Sequence, residues 1–334
     1  MNVIENCPMK GRNTFGIEVS ADTLMEFSSE NELHNCLSVS KHPVMVIGSG
    51  SNLLFMGDYH GTILHSAIKG IDVIEDTREY VLVRVGSGMI WDEFAAYCAD
   101  MGWWGAENLT AVPGEVGASA VQNIGAYGVE VCDIISEVRA MSVSDGSIRT
   151  FACGECGYGY RTSIFKSDLK GQYVVTSVVY RLKKQASPKL EYGALRQTVG
   201  RMGGVSLHNI RAAVRQIRES KLPDPAVLGN AGSFFINPVI SDSHYREIMS
   251  RYSDVPSYPS DGDMCKVPAG WLIEKCGWKG RSLGSAAVHD RQALVLVNKG
   301  GATGHDIKAL ADAIIADVRD RFGIELKTEV NYIS

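Results

Sequence analysis

An α+β fold follows from three features of this 334-residue chain. Short valine-rich runs bounded by turn residues recur through the first half. Apolar residues fall at helical spacing in a few well-marked stretches. No segment approaches the ~20 consecutive apolar residues of a membrane span. The length is a prior for two or three domains. Apolar residues make up 45% of the chain and charged residues 21%, the balance of an ordinary globular protein. A net charge of −5 argues against a nucleic-acid surface, though not against one local basic pocket. The first fifteen residues carry no apolar core of a secretion signal, so a cytosolic protein is expected.

Residues 44–48, VMVIG, read as a buried strand running into Gly48-Ser49-Gly50-Ser51-Asn52. Consecutive backbone N–H groups in such a turn suit a phosphate. The dinucleotide fingerprint would place a third glycine at position 53, where Leu53 stands, and Leu53-Leu54-Phe55 reads as another strand. Residues 62–66, 71–75 and 80–86 are short strands. An amphipathic helix at 90–101 carries Trp91, Phe94, Ala95 and Cys98, and 135–143 and 173–182 are strands again. Residues 16–183 therefore read as mostly strands with one clear helix.

Residues 105–130, GAENLTAVPGEVGASAVQNIGAYGVE, show neither a helical nor a strand period. A long aperiodic loop with this composition is a backbone wall around a bound cofactor or a string of tight turns, and composition does not choose between them.

The texture changes after Pro188. Residues 206–222 are helical, with Ser206 as N-cap and Ile210, Val214 and Ile217 on one face. A short helix at 269–280 ends at Gly277, and 293–298 is a strand. Residues 303–322 form the clearest helix, with Thr303 and Asp306 as a capping box and an apolar stripe from Ile307 to Phe322. A last strand, 324–333, would put Glu325 and Glu329 on one face.

Three polar residues are worth naming, although Arg161 and Glu329, each taken alone, read as ordinary surface residues. Arg161, in YGYRTSIFK, can hold a carboxylate in a two-bond fork. Ser233, in GNAGSFFINP, follows small residues and precedes two aromatics. It does not sit in a nucleophile elbow, because position 235 is Phe235 and not glycine. Glu329 is a carboxylate on the closing strand. The eight cysteines are scattered, and Cys153-x-x-Cys156 has no second pair to complete a zinc site, so no metal is expected.

These stretches, taken together and in order, resemble the MurB family of UDP-N-acetylenolpyruvoylglucosamine reductases. The matching pieces are Asn13-Thr14-Phe15, GSGSNLLF, AENLTAVPGEVGASAVQNIGAYGVE, YGYRTSIFK, KLPDP, NAGSFFINP, AGWLIEKCGWKG, AAVHDRQALVLVN and EVNYI. The resemblance implies an FAD-binding domain of the p-cresol methylhydroxylase type over 16–183 and a smaller α/β substrate domain over 200–325. A terminal strand, 326–334, would return towards the first lobe. It implies noncovalent FAD, NADPH as hydride donor and a sugar-nucleotide substrate, with no nucleic-acid or membrane partner, in a monomer.

The resemblance also implies site roles. Arg161, Ser233 and Glu329 would be catalytic, with Ser233 the proton donor. FAD would be held by Gly48, Ser49, Gly50, Ser51, Asn52 and Leu53. It would also be held by Pro113, Gly114, Gly117, Ala118, Ser119, Asn123, Ile124, Gly125, Ala126 and Tyr127. Tyr160, Tyr192, Lys221, Asn237 and Gln292 would meet the substrate, Tyr192 as the closing tyrosine of the family form that carries an extra loop. Ile236 departs from the family pattern, which has lysine there. Glu107, Glu115 and Glu130 read as structural or solvated.

Overall fold

Valine-rich strands gather into an antiparallel sheet whose middle strand, Tyr173–Lys183, is buried along most of its length. A computed structural model describes residues 1–260 and 262–334. The sheet order is Ile148–Ala152, Ile135–Ser142, Tyr173–Lys183, Tyr80–Gly86, Ile71–Asp76, with Ser177 opposite Gly86 and Lys183 opposite Tyr80. It belongs to the first of two compact units, Met1–Cys7, Ala21–Ser49 and His60–Ser220. A second sheet there runs in the order Asn2–Pro8, Ser20–Phe27, Tyr59–Ser66, Val44–Ile47, with its last two strands parallel.

The core of this unit forms where the helix Trp91–Asp100 lays Trp91 and Phe94 against Tyr180 of the central strand. The Phe94 and Tyr180 rings are 4.9 Å apart. Full burial of a side chain such as Phe94 contributes about 1.5–3 kcal/mol. The helix Leu207–Lys221 begins as expected, with the Asn209 N–H donating to Ser206 Oγ at 3.1 Å. It buries Leu207, Ile210, Ala213 and Val214.

The second unit comprises Pro8–Ser20, Gly50–Tyr59 and Lys221–Ser334. The expected domain limits and these compact units divide the chain differently, because two short N-terminal stretches pack with the C-terminal part. Asn13, buried, uses its side chain to bond Met9 O, Ile17 O and the Ile17 N–H. Asn298 Nδ2 donates to Phe15 O at 2.9 Å. The helix Gly304–Phe322 closes the Thr303–Asp306 capping box, buries its apolar stripe and ends on Gly323 at φ 67°. Its first residue must be glycine, since a Cβ there would lie 1.9 Å from Phe55 O.

Three expectations need correction. The stretch 16–183 holds more than one helix. Glu30–Val39 is helical, with Ser29 accepting the Glu32 N–H, and Val116–Gln122 is a further helix. The stretch 105–130 is therefore not aperiodic loop throughout. Its small residues allow a short helix to seat closely, with the Gly117 N–H donating to Ser87 O and no room for a Cβ, which would meet Ser87 Cβ at 2.8 Å. The closing strand is only Asn331–Ile333, parallel to Leu53–Phe55. Glu325 is exposed and Glu329 half-buried, so the two do not share one strand face.

Candidate active site

The turn after Val44–Ile47 has the features of an anion cradle. Gly50 is buried at φ 65°, and its carbonyl accepts the Thr14 N–H at 3.2 Å. A Cβ at Gly50 would lie 2.0 Å from Arg12 O, so only glycine fits. Among the described residues, no hydrogen bond uses the N–H of Ser49, Gly50 or Ser51. Three successive free amide donors suit a phosphate group. Ser49 Oγ donates to Glu115 Oε1 at 3.1 Å. Asn52 Nδ2 donates to Glu329 O at 3.1 Å.

The second cofactor stretch is pinned from below and leaves its upper residues half-exposed. Ala111, at φ 57°, donates its N–H to Asp92 Oδ1 at 2.7 Å, and Arg211 and Arg215 pair with the same carboxylate. Asn123 is fully buried at φ 48°. Its amide donates to Glu130 Oε2 and Gly159 O, both at 2.9 Å, and its Oδ1 accepts the Cys132 N–H. Ala118, Ile124, Gly125, Ala126 and Tyr127 remain partly accessible, while Gly117 and Ser119 are buried in the helix seat and Pro113 is exposed.

Arg161 reaches this wall. It sits at φ 58° in the Gly159–Thr162 turn, and its Nη2 donates to Gly125 O at 2.6 Å. A Cβ on Gly125 would lie 2.5 Å from Arg161 Nη1, so the glycine makes space for the guanidinium. Tyr160 is exposed, with the Arg161 guanidinium 5.5 Å from its ring centre. Tyr192 is exposed too, edge-on to Tyr127 at 5.9 Å.

Ser233, Glu329, Asn237 and Gln292 lie in the second unit. The strand Gly229–Ser233 bulges between Asn230 and Ser233, with Gly232 at φ 70° and its N–H donating to Asn230 Oδ1. A bulge of this kind re-aims a side chain. Ser233 comes out exposed, while Phe234 and Phe235 are fully buried behind it. The Glu329 N–H donates to Phe234 O at 2.8 Å, and Phe235 bridges Thr328, so the structure brings the Ser233 and Glu329 segments side by side. Asn237 uses Oδ1 to accept the Ala269 N–H at 2.9 Å. Gln292 Oε1 accepts the Leu294 N–H at 3.3 Å, and Lys221 is exposed.

Sequence reasoning missed some groups. His65 lies between Glu26 and Glu115. Arg218 is half-buried on the helix Leu207–Lys221; burial lowers its pKa, and the charges of Tyr127, Asp92 and Arg161 act on it. Neither residue lies in a recognisable motif, and only three-dimensional proximity reveals them. Glu107 is buried, and burial raises its pKa while the Gly105 N–H donates to it at 2.6 Å, which fits a structural role. Among the described residues, no three His, Cys, Asp or Glu side chains are grouped to hold a metal, and no helix is long and apolar enough to cross a membrane.

The free amide donors of the turn suit the phosphates of a nucleotide. Residues 21–152 match the family model described as FAD binding domain. The protein is thus an FAD-binding oxidoreductase. Residues 224–333 match the model of the UDP-N-acetylenolpyruvoylglucosamine reductase C-terminal domain. The chain is 50% identical to UDP-N-acetylenolpyruvoylglucosamine reductase of Bacteroides fragilis, over 96% of this chain and 97% of the relative. It is 46% identical to the reductase of Porphyromonas gingivalis, over 100% of both. The crystal structure of UDP-N-acetylenolpyruvylglucosamine reductase (MurB) from Thermus caldophilus overlays with a TM-score of 0.69, covering 100% of this chain and 98% of that one. At 21% identity it speaks for the fold. The chain belongs to the UDP-N-acetylenolpyruvoylglucosamine reductase family.

Proposed function

We propose that this protein reduces the enolpyruvyl group of UDP-N-acetylglucosamine enolpyruvate to the lactyl ether of UDP-N-acetylmuramate, a step in making peptidoglycan precursors. The supporting observation is 50% identity to a reductase of that name along nearly the whole chain. FAD, when bound, supplies the hydride, which it receives from NADPH. The chain's own residues bind, orient and stabilise charge. Arg161 holds the enolpyruvyl carboxylate and stabilises the negative charge that builds there, a role worth about 3–4 kcal/mol for a well-aimed donor. Ser233 gives its hydroxyl proton to the carbon next to the carboxylate. Glu329 serves the same carboxyl end in its protonated form, because an ionised carboxylate would repel the substrate.

The substrate contacts follow the same reading. Tyr192 closes over the diphosphate with Lys221. Tyr160, Asn237 and Gln292 meet the rest of the sugar nucleotide; Asn237 keeps its Nδ2 for this while Oδ1 holds Ala269. With Ile236 in place of a lysine, no charge from that position helps hold phosphate. FAD is held without a covalent bond, by the Gly48–Leu53 turn and the 113–127 wall. The enzyme works as a cytosolic monomer. Purified protein should be yellow and, without oxygen, turn over NADPH beyond the single equivalent that reduces its flavin only when the enolpyruvyl sugar nucleotide is present, giving a product heavier by about 2 Da from the added hydride and proton. NADPH consumption indifferent to that substrate would remove the reading.

A further inference from the structure

His65 touches a buried carboxylate, Glu115, and through it the Gly48–Leu53 turn. It stands on the strand Tyr59–Ser66 with its side chain about one-fifth exposed. Nε2 lies 3.0 Å from Glu115 Oε1, and Nδ1 lies 3.2 Å from Glu26 Oε1. A neutral imidazole has one N–H. With a carboxylate oxygen at each nitrogen, it would turn a lone pair towards one of them. The geometry therefore favours the doubly protonated imidazolium, and these two hydrogen-bonded carboxylates also raise its pKa, Glu115 most. Glu26, on Ser20–Phe27, and Glu115, before the helix Val116–Gln122, are the charged groups that face it.

Glu115 carries the consequence to the turn. It precedes its helix but makes no side-chain cap there. Its carboxylate turns instead to the phosphate-binding segment. Oε1 accepts both His65 and Ser49 Oγ, and Oε2 lies 3.2 Å from where a Gly48 Cβ would be. The carboxylate thus bonds Ser49 and fills the space a side chain at Gly48 would take, and the imidazolium fixes that carboxylate. Without the His65 charge, the Glu115 carboxylate beside the segment that would hold an anionic diphosphate loses its cationic hydrogen-bond partner.

We propose that His65, as an imidazolium between Glu26 and Glu115, is a positioning residue that sets the Ser49–Ser51 turn for the diphosphate of FAD and makes FAD retention weaken in alkaline solution. The proposal rests on the turn being the diphosphate site. The sign follows from the raised pKa. The contribution is complete below the ordinary imidazole range and is lost as pH rises through the higher value of the folded protein.

The test is FAD binding to the full chain after flavin removal, read by flavin fluorescence between about pH 6 and 9. The wild-type Kd should rise about tenfold across the upper part of this window. His65→Gln should bind about tenfold more weakly at pH 7, with little further change towards pH 9. Ser51→Asp, which puts a negative charge into the turn, should weaken binding at every pH. A flat wild-type profile, or a His65→Gln Kd within about twofold of wild type, with Ser51→Asp still weakened, overturns the role of His65 alone. Ser51→Asp binding like wild type overturns the diphosphate assignment and the proposal with it. If His65→Gln does not fold, the wild-type profile and the His65 ring nitrogens in an NMR pH titration still decide. Loss of one ring proton below pH 7 would contradict the proposal.

Discussion

Ser233 owes its exposure to Gly232 and Asn230 just before it. Gly232 takes a positive φ and Asn230 ties its N–H, so the strand bulges and the hydroxyl turns outward while Phe234 stays buried. The motif flagged Ser233 in the sequence, but not the bulge, because nothing in GNAGS announces which of two glycines turns. If Ser233 is the proton donor, Ser233→Ala should leave flavin reduction by NADPH nearly intact and slow flavin reoxidation by the enolpyruvyl substrate by about 10²–10⁴-fold. Rapid-mixing absorbance separates the two half-reactions, and equal loss in both would end the assignment. Arg161 was also legible as a carboxylate holder, but its seat was not. The guanidinium lies where Gly125 has no Cβ and bonds Gly125 O. Arg161→Lys keeps the charge and loses the planar fork. Its kcat should fall about 10²–10³-fold, and a kcat close to wild type in steady-state assays would show that charge alone suffices.

Elements with strong end signals were readable, and short ones were not. The helix Gly304–Phe322 has a capping box, a continuous stripe and a terminal glycine, and its bounds match the expectation. The helix Val116–Gln122 has seven small or mixed residues and no stripe, so periodicity could not find it. The helix Glu30–Val39 did carry a signal, Ser29 followed three residues later by Glu32, with the cap bond at 3.2 Å. What the sequence cannot show is close approach between elements. Gly304 looks replaceable, since alanine is favoured over glycine in a helix by up to about 1 kcal/mol. Its missing Cβ is the space occupied by Phe55 O. Gly304→Ala should therefore destabilise the protein by about 1–3 kcal/mol, read as a lower denaturant midpoint. An unchanged or higher midpoint would mean that the contact is easily relieved.

At the scale of the molecule, the α+β class and several of the longer strands followed from local pattern, while the sheet order and the makeup of the compact units did not. The second unit borrows Pro8–Ser20 and Gly50–Tyr59. Its bonds from Asn298 to Phe15 and from Asn331–Ile333 to Leu53–Phe55 join residues far apart in sequence. Periodicity carries no information about such pairings. The family resemblance supplied the chemistry that spacing could not, since Arg161, Ser233 and Glu329 each looked ordinary alone. Substrate reduction through flavin is the central claim, and anaerobic stopped-flow absorbance tests it most directly. NADPH should bleach the flavin band, and UDP-N-acetylglucosamine enolpyruvate added next should restore it within the time of a turnover. A band that stays bleached with that substrate and returns only when oxygen is admitted would contradict the claim.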